Sequence, residues 1–171
     1  VPPATLPNLR TVRPQIRITY GSASACTAPP TAGTSTATPS SGLCSGNNIQ
    51  LNLSGNSTGT GQTYQWQYGP TASGPWTNLG GSQPSTVLST TASVSQYYQC
   101  EVTCSGNTVA STPVLVTVNP AFPSGTYTID KTQPASATNF VSFASAIAAL
   151  TCGISGPVVL DVVTGTGPYT E

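Results

Sequence analysis

The residue types able to do chemistry are few in this chain. It has 171 residues, with four Lys+Arg, four Asp+Glu, five cysteines and no histidine. The acids are Glu101, Asp130, Asp161 and Glu171, and no two are neighbours in sequence on a shared face. A paired-carboxylate site of the glycosidase kind therefore requires long-range folding to build it. Nucleophilic catalysis lacks a base, because histidine is absent and Lys131 is the single lysine. The glycines around Gly167 do not make a phosphate loop, since no helix follows them. Neither a Cys–His zinc set nor a C-x-x-C pair is present. The expectation is thus a protein that is not an enzyme, with no catalytic residue, no metal site and no cofactor.

Two groups of residues remain. The cysteines read as disulfides, which implies an oxidising compartment, and the odd count leaves one thiol or an outside partner. The aromatic residues offer stacking platforms. Trp66 lies mid-strand and reads as core, whereas Trp76 lies at a hairpin end and is the candidate ligand contact. Tyr68 and Tyr97 are weaker candidates. Asn52-Leu53-Ser54 and Asn56-Ser57-Thr58 match the glycosylation pattern, one that recurs by chance in so Ser/Thr/Asn-rich a chain.

Composition narrows the function classes. Charged residues make up 5% of the chain, against about a quarter in an average protein. Net charge is zero, so there is no basic stripe for nucleic acid or anionic lipid. The polar surface must be Ser, Thr, Asn, Gln and Gly, and its contacts are expected to respond little to salt. Such a surface fits an extracellular protein. No signal peptide is visible at Val1-Pro2-Pro3, and the longest apolar run, Phe140 to Leu150, is too short to span a bilayer. No membrane insertion is expected, and the chain reads as a piece of a longer exported protein.

The elements follow from periodicity. Gln15 to Tyr20 alternates and reads as a strand of residues 1–25, which carry Arg10, Arg13 and Arg17. It is either a last strand from a preceding domain or a donor strand for another subunit's sheet edge. Residues 26–120 show turn signals every eight to twelve residues between short strands. The strands are expected at Thr31–Ser40, Asn48–Ser54, Thr63–Tyr68, Trp76–Leu79, Ser85–Ser89, 96–104 and Val114–Val118. Residues 121–171 change period. Strands are expected at Thr126–Asp130 and Val158–Val163, with a helix of about eleven residues between them. That helix carries Phe140, Phe143, Ile147 and Leu150 on one face, with Asn139 as its candidate N-cap.

Trp66, followed some thirty residues later by Tyr98-x-Cys100, is the pattern of an immunoglobulin-like β-sandwich. Residues 26–119 resemble the Ig-like modules repeated in large surface and secreted proteins of Bacteroidota. The resemblance is carried by Cys26…Pro29-Pro30-Thr31-Ala32-Gly33, Cys44-Ser45-Gly46, Tyr64-Gln65-Trp66-Gln67, Gly74-Pro75-Trp76-Thr77-Asn78 and Tyr98-Gln99-Cys100-Glu101-Val102-Thr103-Cys104. Residues 125–171 resemble the opening of a right-handed parallel β-helix of the pectin-lyase type. There the matching residues are Phe140-x-x-Phe143-x-x-Ala146-Ile147-x-Ala149-Leu150, Gly156-Pro157-Val158-Val159-Leu160-Asp161-Val162 and Gly167-x-Tyr169-x-Glu171. In such proteins the helix caps the open end of the solenoid. The expected fold is therefore all-β: an Ig-like β-sandwich with a flanking N-terminal strand and a partial, helix-capped β-helix start. The resemblance also implies export by the type IX secretion system to the cell surface or medium.

The Ig-like topology implies which cysteines can meet. Its second and sixth strands run the same way in facing sheets, so Cys44 and Cys100 come within reach, and Cys26 falls near Cys104. The expected bridges are Cys44–Cys100 and Cys26–Cys104, with Cys44–Cys104 as the rival and Cys152 left as the thiol. Leu53 occupies the position where an antibody domain has its first cysteine.

Three functions fit these expectations. The first is a non-catalytic structural and adhesive module of a large cell-surface protein, contacting other domains of its own chain, surface glycans or other surface proteins. The second is a subunit of a homopolymeric extracellular fibre completed by strand exchange. The third is an accessory module of a secreted carbohydrate-active enzyme.

Overall fold

The computed structural model describes residues 24–170. The expected strand Gln15–Tyr20 and its arginines lie outside these residues. In chain order the described elements are β1 (Thr34–Thr38), β2 (Leu43–Cys44), β3 (Asn47–Ser54), β4 (Thr63–Gly69), β5 (Thr77–Asn78), β6 (Leu88–Ala92) and β7 (Gln96–Cys104). They continue with β8 (Asn107–Ala110), β9 (Val114–Val116), β10 (Val118–Asn119), β11 (Gly125–Ile129), β12 (Asn139–Phe140), α1 (Phe143–Ala149) and β13 (Val158–Val162). The fold is all-β apart from one short helix.

Antiparallel β4 and β7 form the longest ladder, running from Thr63 opposite Thr103 to Gly69 opposite Tyr97. Their alternation sends Tyr64, Trp66, Tyr98, Cys100, Val102 and Cys104 inward. Short β5 pairs with the outer edge of β4. β8 and β9 share the free edge of β7 end to end. The turn into β8 is Ser105-Gly106, both with positive φ (48° and 81°), the backbone of a two-residue hairpin. A second antiparallel sheet, in the order β1-β3-β6, supplies Ile49, Leu51, Leu53 and Ala92 to the same core.

β1 is tied to both sheets. It pairs with β3 from Thr34–Ser54 to Thr38–Gln50. On its other side the Ser35 N–H donates to the Thr112 carbonyl (2.8 Å), and the Thr112 N–H donates to that of Gly33 (2.9 Å). Between the sheets the buried Ser35 and Ser111 hydroxyls lie 2.7 Å apart, and Ser111 Oγ also accepts the Cys100 N–H. Gly33 is required here: its φ is +69°, and a Cβ would sit 2.2 Å from the Ser54 carbonyl oxygen.

The chain leaves this core through β10, which pairs in parallel with β2. Beyond it, β12 and β13 flank β11, all three parallel. Tyr127, Ile129 and Ala146 are buried in this part of the chain. Phe122 packs on Tyr127 and Phe140, with ring centroids 4.6 and 5.9 Å away.

Several expectations shift. The helix starts at Phe143 rather than Phe140, because Asn139 and Phe140 pair with Thr128 and Ile129 of β11. Ser142 is its N-cap, in a capping box with Ser145. Asn139 instead donates to the carbonyls of Asp130, Gln133 and Pro134. The strand expected at Ser85–Ser89 begins at Leu88, since the Gln83 amide holds the Ser85 and Val87 carbonyls in a local loop. Strand β8, which no expected strand covers, follows from the hairpin geometry at Ser105-Gly106.

The Cys44–Cys100 bridge is a correction. Cys44 is bonded to Cys152, Cys26 to Cys104, and Cys100 is the free, buried cysteine. Cys44 does not begin the core strand. It lies in β2, before the Ser45-Gly46 turn, where the Asn47 side chain accepts its N–H. Its sulfur instead lies beside the Thr151 carbonyl, next to Cys152. In the loop-entropy picture the two closed loops, of 78 and 108 residues, are each worth about 4–5 kcal/mol.

The core makes a direct prediction. Leu51→Ala, at a fully buried position, should lower unfolding stability by about 3–4 kcal/mol in a denaturant titration. Leu115→Ala, on the exposed side of β9, should change it by less than about 0.5 kcal/mol.

Candidate functional surface

The inward faces of β4 and β7 build the core, so their outward faces build the surface. Gln67 and Gln99 lie opposite each other in the ladder. The Gln99 amide donates to Gln67 Oε1 (2.8 Å), and the Gln67 amide donates to Asn78 Oδ1 (3.0 Å). This makes an amide chain across three strands, with both glutamines buried. Two residues earlier on β4, Gln65 donates to the carbonyls of Trp66 and Gly80. Thr103 and Thr108 pair hydroxyl to hydroxyl at 2.8 Å on the neighbouring hairpin. Hydroxyls and amides thus satisfy one another where most proteins place ion pairs.

Trp76 sits at the edge of this face, half-buried. Its ring lies over two glycines. A Cβ on Gly69 would meet ring carbons at 3.1 and 3.4 Å, and one on Gly74 would meet them at 2.8 Å. Gly69 stands opposite Tyr97, so Trp76 and Tyr97 flank the same outward position. The turn under the ring is held by the Thr71 hydroxyl, which donates to the Gly74 carbonyl at 2.5 Å. Trp66 lies in the core, 1% exposed, its indole N–H without a hydrogen-bond partner.

Among the described residues the acids and the lysine occupy separate settings. Glu101 is half-buried on β7. The Asp130 carboxylate is engaged by the Thr132 N–H and hydroxyl, at 2.8 and 2.6 Å. The parallel register places Asp161 beside Thr128 on the exposed side of β13, while Asp130 follows the end of β11. Lys131 donates to the Pro168 carbonyl and lies 5.6 Å from the centre of the Tyr169 ring. Among the described residues there is no pocket and no cluster of three metal-binding side chains.

Of the cysteines, Cys26, Cys104, Cys44 and Cys152 are bridged. Cys100 remains, fully buried opposite Trp66. Burial pushes its thiol up to about 12, with the Glu101 charge adding to the shift and a hydrogen bond from the Gln65 backbone opposing it. Tyr64 is likewise raised, chiefly by burial.

Residues 31–120 match the model of a family described as a domain of unknown function, DUF8696. No curated protein and no solved structure matches the chain. No helix of the described residues is long and apolar enough to cross a membrane.

Cys100 gives the test of this geometry. Its folded value lies above that of the unfolded thiol, so its contribution to stability is complete below about pH 9 and is lost as pH rises toward 12. Iodoacetamide at pH 8 should leave the folded protein unmodified and label one thiol per chain after denaturation. Cys100→Ala should remove the label and flatten the loss of stability above pH 9, leaving the part owed to Tyr64.

Proposed function

We propose that this chain, which belongs to the DUF8696 family through its residues 31–120, is a non-catalytic structural and adhesive module of a large exported bacterial cell-surface protein. The observation that carries this reading is the pair of disulfides, one inside the sandwich and one from it to the C-terminal unit. Bridges of this kind persist in oxidising compartments and fix a module against its neighbour.

The finer fold assignments support the same reading. Sheets β1-β3-β6 and β5-β4-β7-β8, with Trp66 and Tyr98 buried between them, follow the strand order of an Ig-like sandwich. On that assignment Cys100 is the second cysteine of the Ig pattern, and Leu53 in the first position leaves it a thiol. The parallel order β12-β11-β13, with α1 crossing between β12 and β13, suits the first turn of a capped β-helix. Val159, Val162, Ile147 and Ile154 are 43–66% exposed there, as expected of a turn on which further coils stack.

A second reading is favoured by Trp76 and Tyr97 beside the amide chain. Aromatic rings next to uncharged donors and acceptors suit a glycan, which would make this an accessory module of a carbohydrate-active enzyme.

One oxidised preparation separates the readings. The module should be monomeric in size-exclusion chromatography and leave the sugars of a glycan array intact. Its retention on a bound surface should change less than about twofold between 0.05 and 1 M salt, because no charge mediates the contact. Hydrolysis of any glycan would overturn the non-catalytic assignment. Long filaments in electron micrographs would favour the fibre subunit, and glycan binding lost in Trp76→Ala the accessory module.

A further inference from the structure

We propose that the two disulfides make this chain an extension-limited tether whose bonds yield in a fixed order. The bridged residues interleave in sequence: 26, 44, 104, 152. The bonds therefore fuse the backbone into two junctions, one joining residues 26 and 104, the other joining 44 and 152. Three stretches of chain connect these junctions in parallel: 26–44, 44–104 and 104–152. The N-terminal side enters at the first junction and the C-terminal side leaves from the second. A pull between the two ends is thus carried by the shortest stretch, 26–44, and by the Cys44–Cys152 bond. The other two stretches are slack at full extension, whether folded or not. The loaded stretch contains β1, the strand hydrogen-bonded to both sheets.

The two shortcuts do not add. Cys44–Cys152 withholds 108 residues from the stretchable length, and Cys26–Cys104 withholds none beyond these while the first bond stands. Once Cys44–Cys152 is cut, the load moves to Cys26–Cys104, which still withholds 78. The first cut releases the 30-residue difference between 108 and 78, and the second releases the remaining 78. At about 3.4 Å per residue these steps are about 100 Å and about 270 Å.

The surface-module reading supplies only the source of the load; the connectivity stands without it. The cutting agent is an external dithiol. Its thiolate attacks one bridge sulfur, breaking the S–S bond and expelling the other cysteine as a thiolate. The second thiol of the reagent then closes on the first. One reagent disulfide and two protein thiols result, with two electrons passed to each bridge.

The test is single-molecule force extension of the full chain between handles at its ends. Without reductant, unfolding should never release the withheld 108 residues. With dithiothreitol at constant force, a step of about 100 Å should precede one of about 270 Å in every trace showing both. Cys26→Ser/Cys104→Ser should leave the oxidised contour length unchanged. Cys44→Ser/Cys152→Ser should lengthen it by about 100 Å. These lengths follow from connectivity, so a variant that folds poorly still reports them, with non-reducing peptide mapping confirming its remaining bridge. Reversed steps, a single step of about 370 Å, or a longer oxidised contour in the Cys26/Cys104 variant would overturn the proposal. A module that adheres to nothing would leave the steps unchanged, so the two readings fail separately.

Discussion

The rest of the structure depends on the pairing of β4 with β7. Seven consecutive residue pairs run from Thr63–Thr103 to Gly69–Tyr97, and the two-residue period of the strands makes this ladder two-sided. One side lays Trp66 against the core with Tyr64, Tyr98 and Val102. The other side carries Gln65, Gln67 and Gln99. A slip of one residue would exchange the two sets, burying amides without partners and exposing the aromatic rings. The burial of Trp66 and the Gln99–Gln67–Asn78 chain are therefore two consequences of a single register. The ladder also sets where Cys104 ends, at the rim where Cys26 reaches it.

Scarcity of charge shapes the remainder. With charged residues at 5% of the chain, the buried polar side chains of the described residues are neutral apart from Asp130, and most satisfy one another. Ser35 and Ser111 do so between the sheets, and the Asn139 amide does so among three carbonyls of the C-terminal unit. Neutral hydrogen bonds contribute about 1 kcal/mol each and owe nothing to long-range fields. Such a molecule is held by geometry and covalent bonds, and its stability is set by packing and crosslinks more than by ionic strength.

How much of this was legible in the sequence follows the range of the signal. The strands around Ile49, Trp66, Cys100, Val116, Tyr127 and Leu160 were legible because each carries its own alternation or apolar run. The placement of Trp66 in the core followed from the same pattern. The start of the helix was not, because the claim of β11 on Asn139 and Phe140 is a long-range pairing that outweighs a local helical period. Nor was the partner of Cys44, for a similar reason. The two-residue turn Ser45-Gly46 detaches it from β3, and the parallel pairing of β2 with β10 carries it to the linker. Topology within one sandwich says nothing about a bond that leaves the sandwich. The glycine floor of Trp76 was half visible: Gly69 and Gly74 stand in the sequence, but their closeness to the ring is a product of the turn.

The bond that leaves the sandwich changes what the two units are to each other. The core cluster lies around Trp66 in the first, and Tyr127, Ile129 and Ala146 are buried in the second. The linker between them follows β10, whose two residue pairs are made with β2 on the sandwich side. A single linker would let the units swing. Cys44–Cys152 removes that freedom. Around it the Cys152 sulfur lies 3.8 Å from the Leu43 carbonyl, and the Cys44 sulfur 3.9 Å from that of Thr151. The bridge thus joins the rim of the sandwich to the turn after α1. A second attachment point beside the linker converts a hinge into a fixed joint.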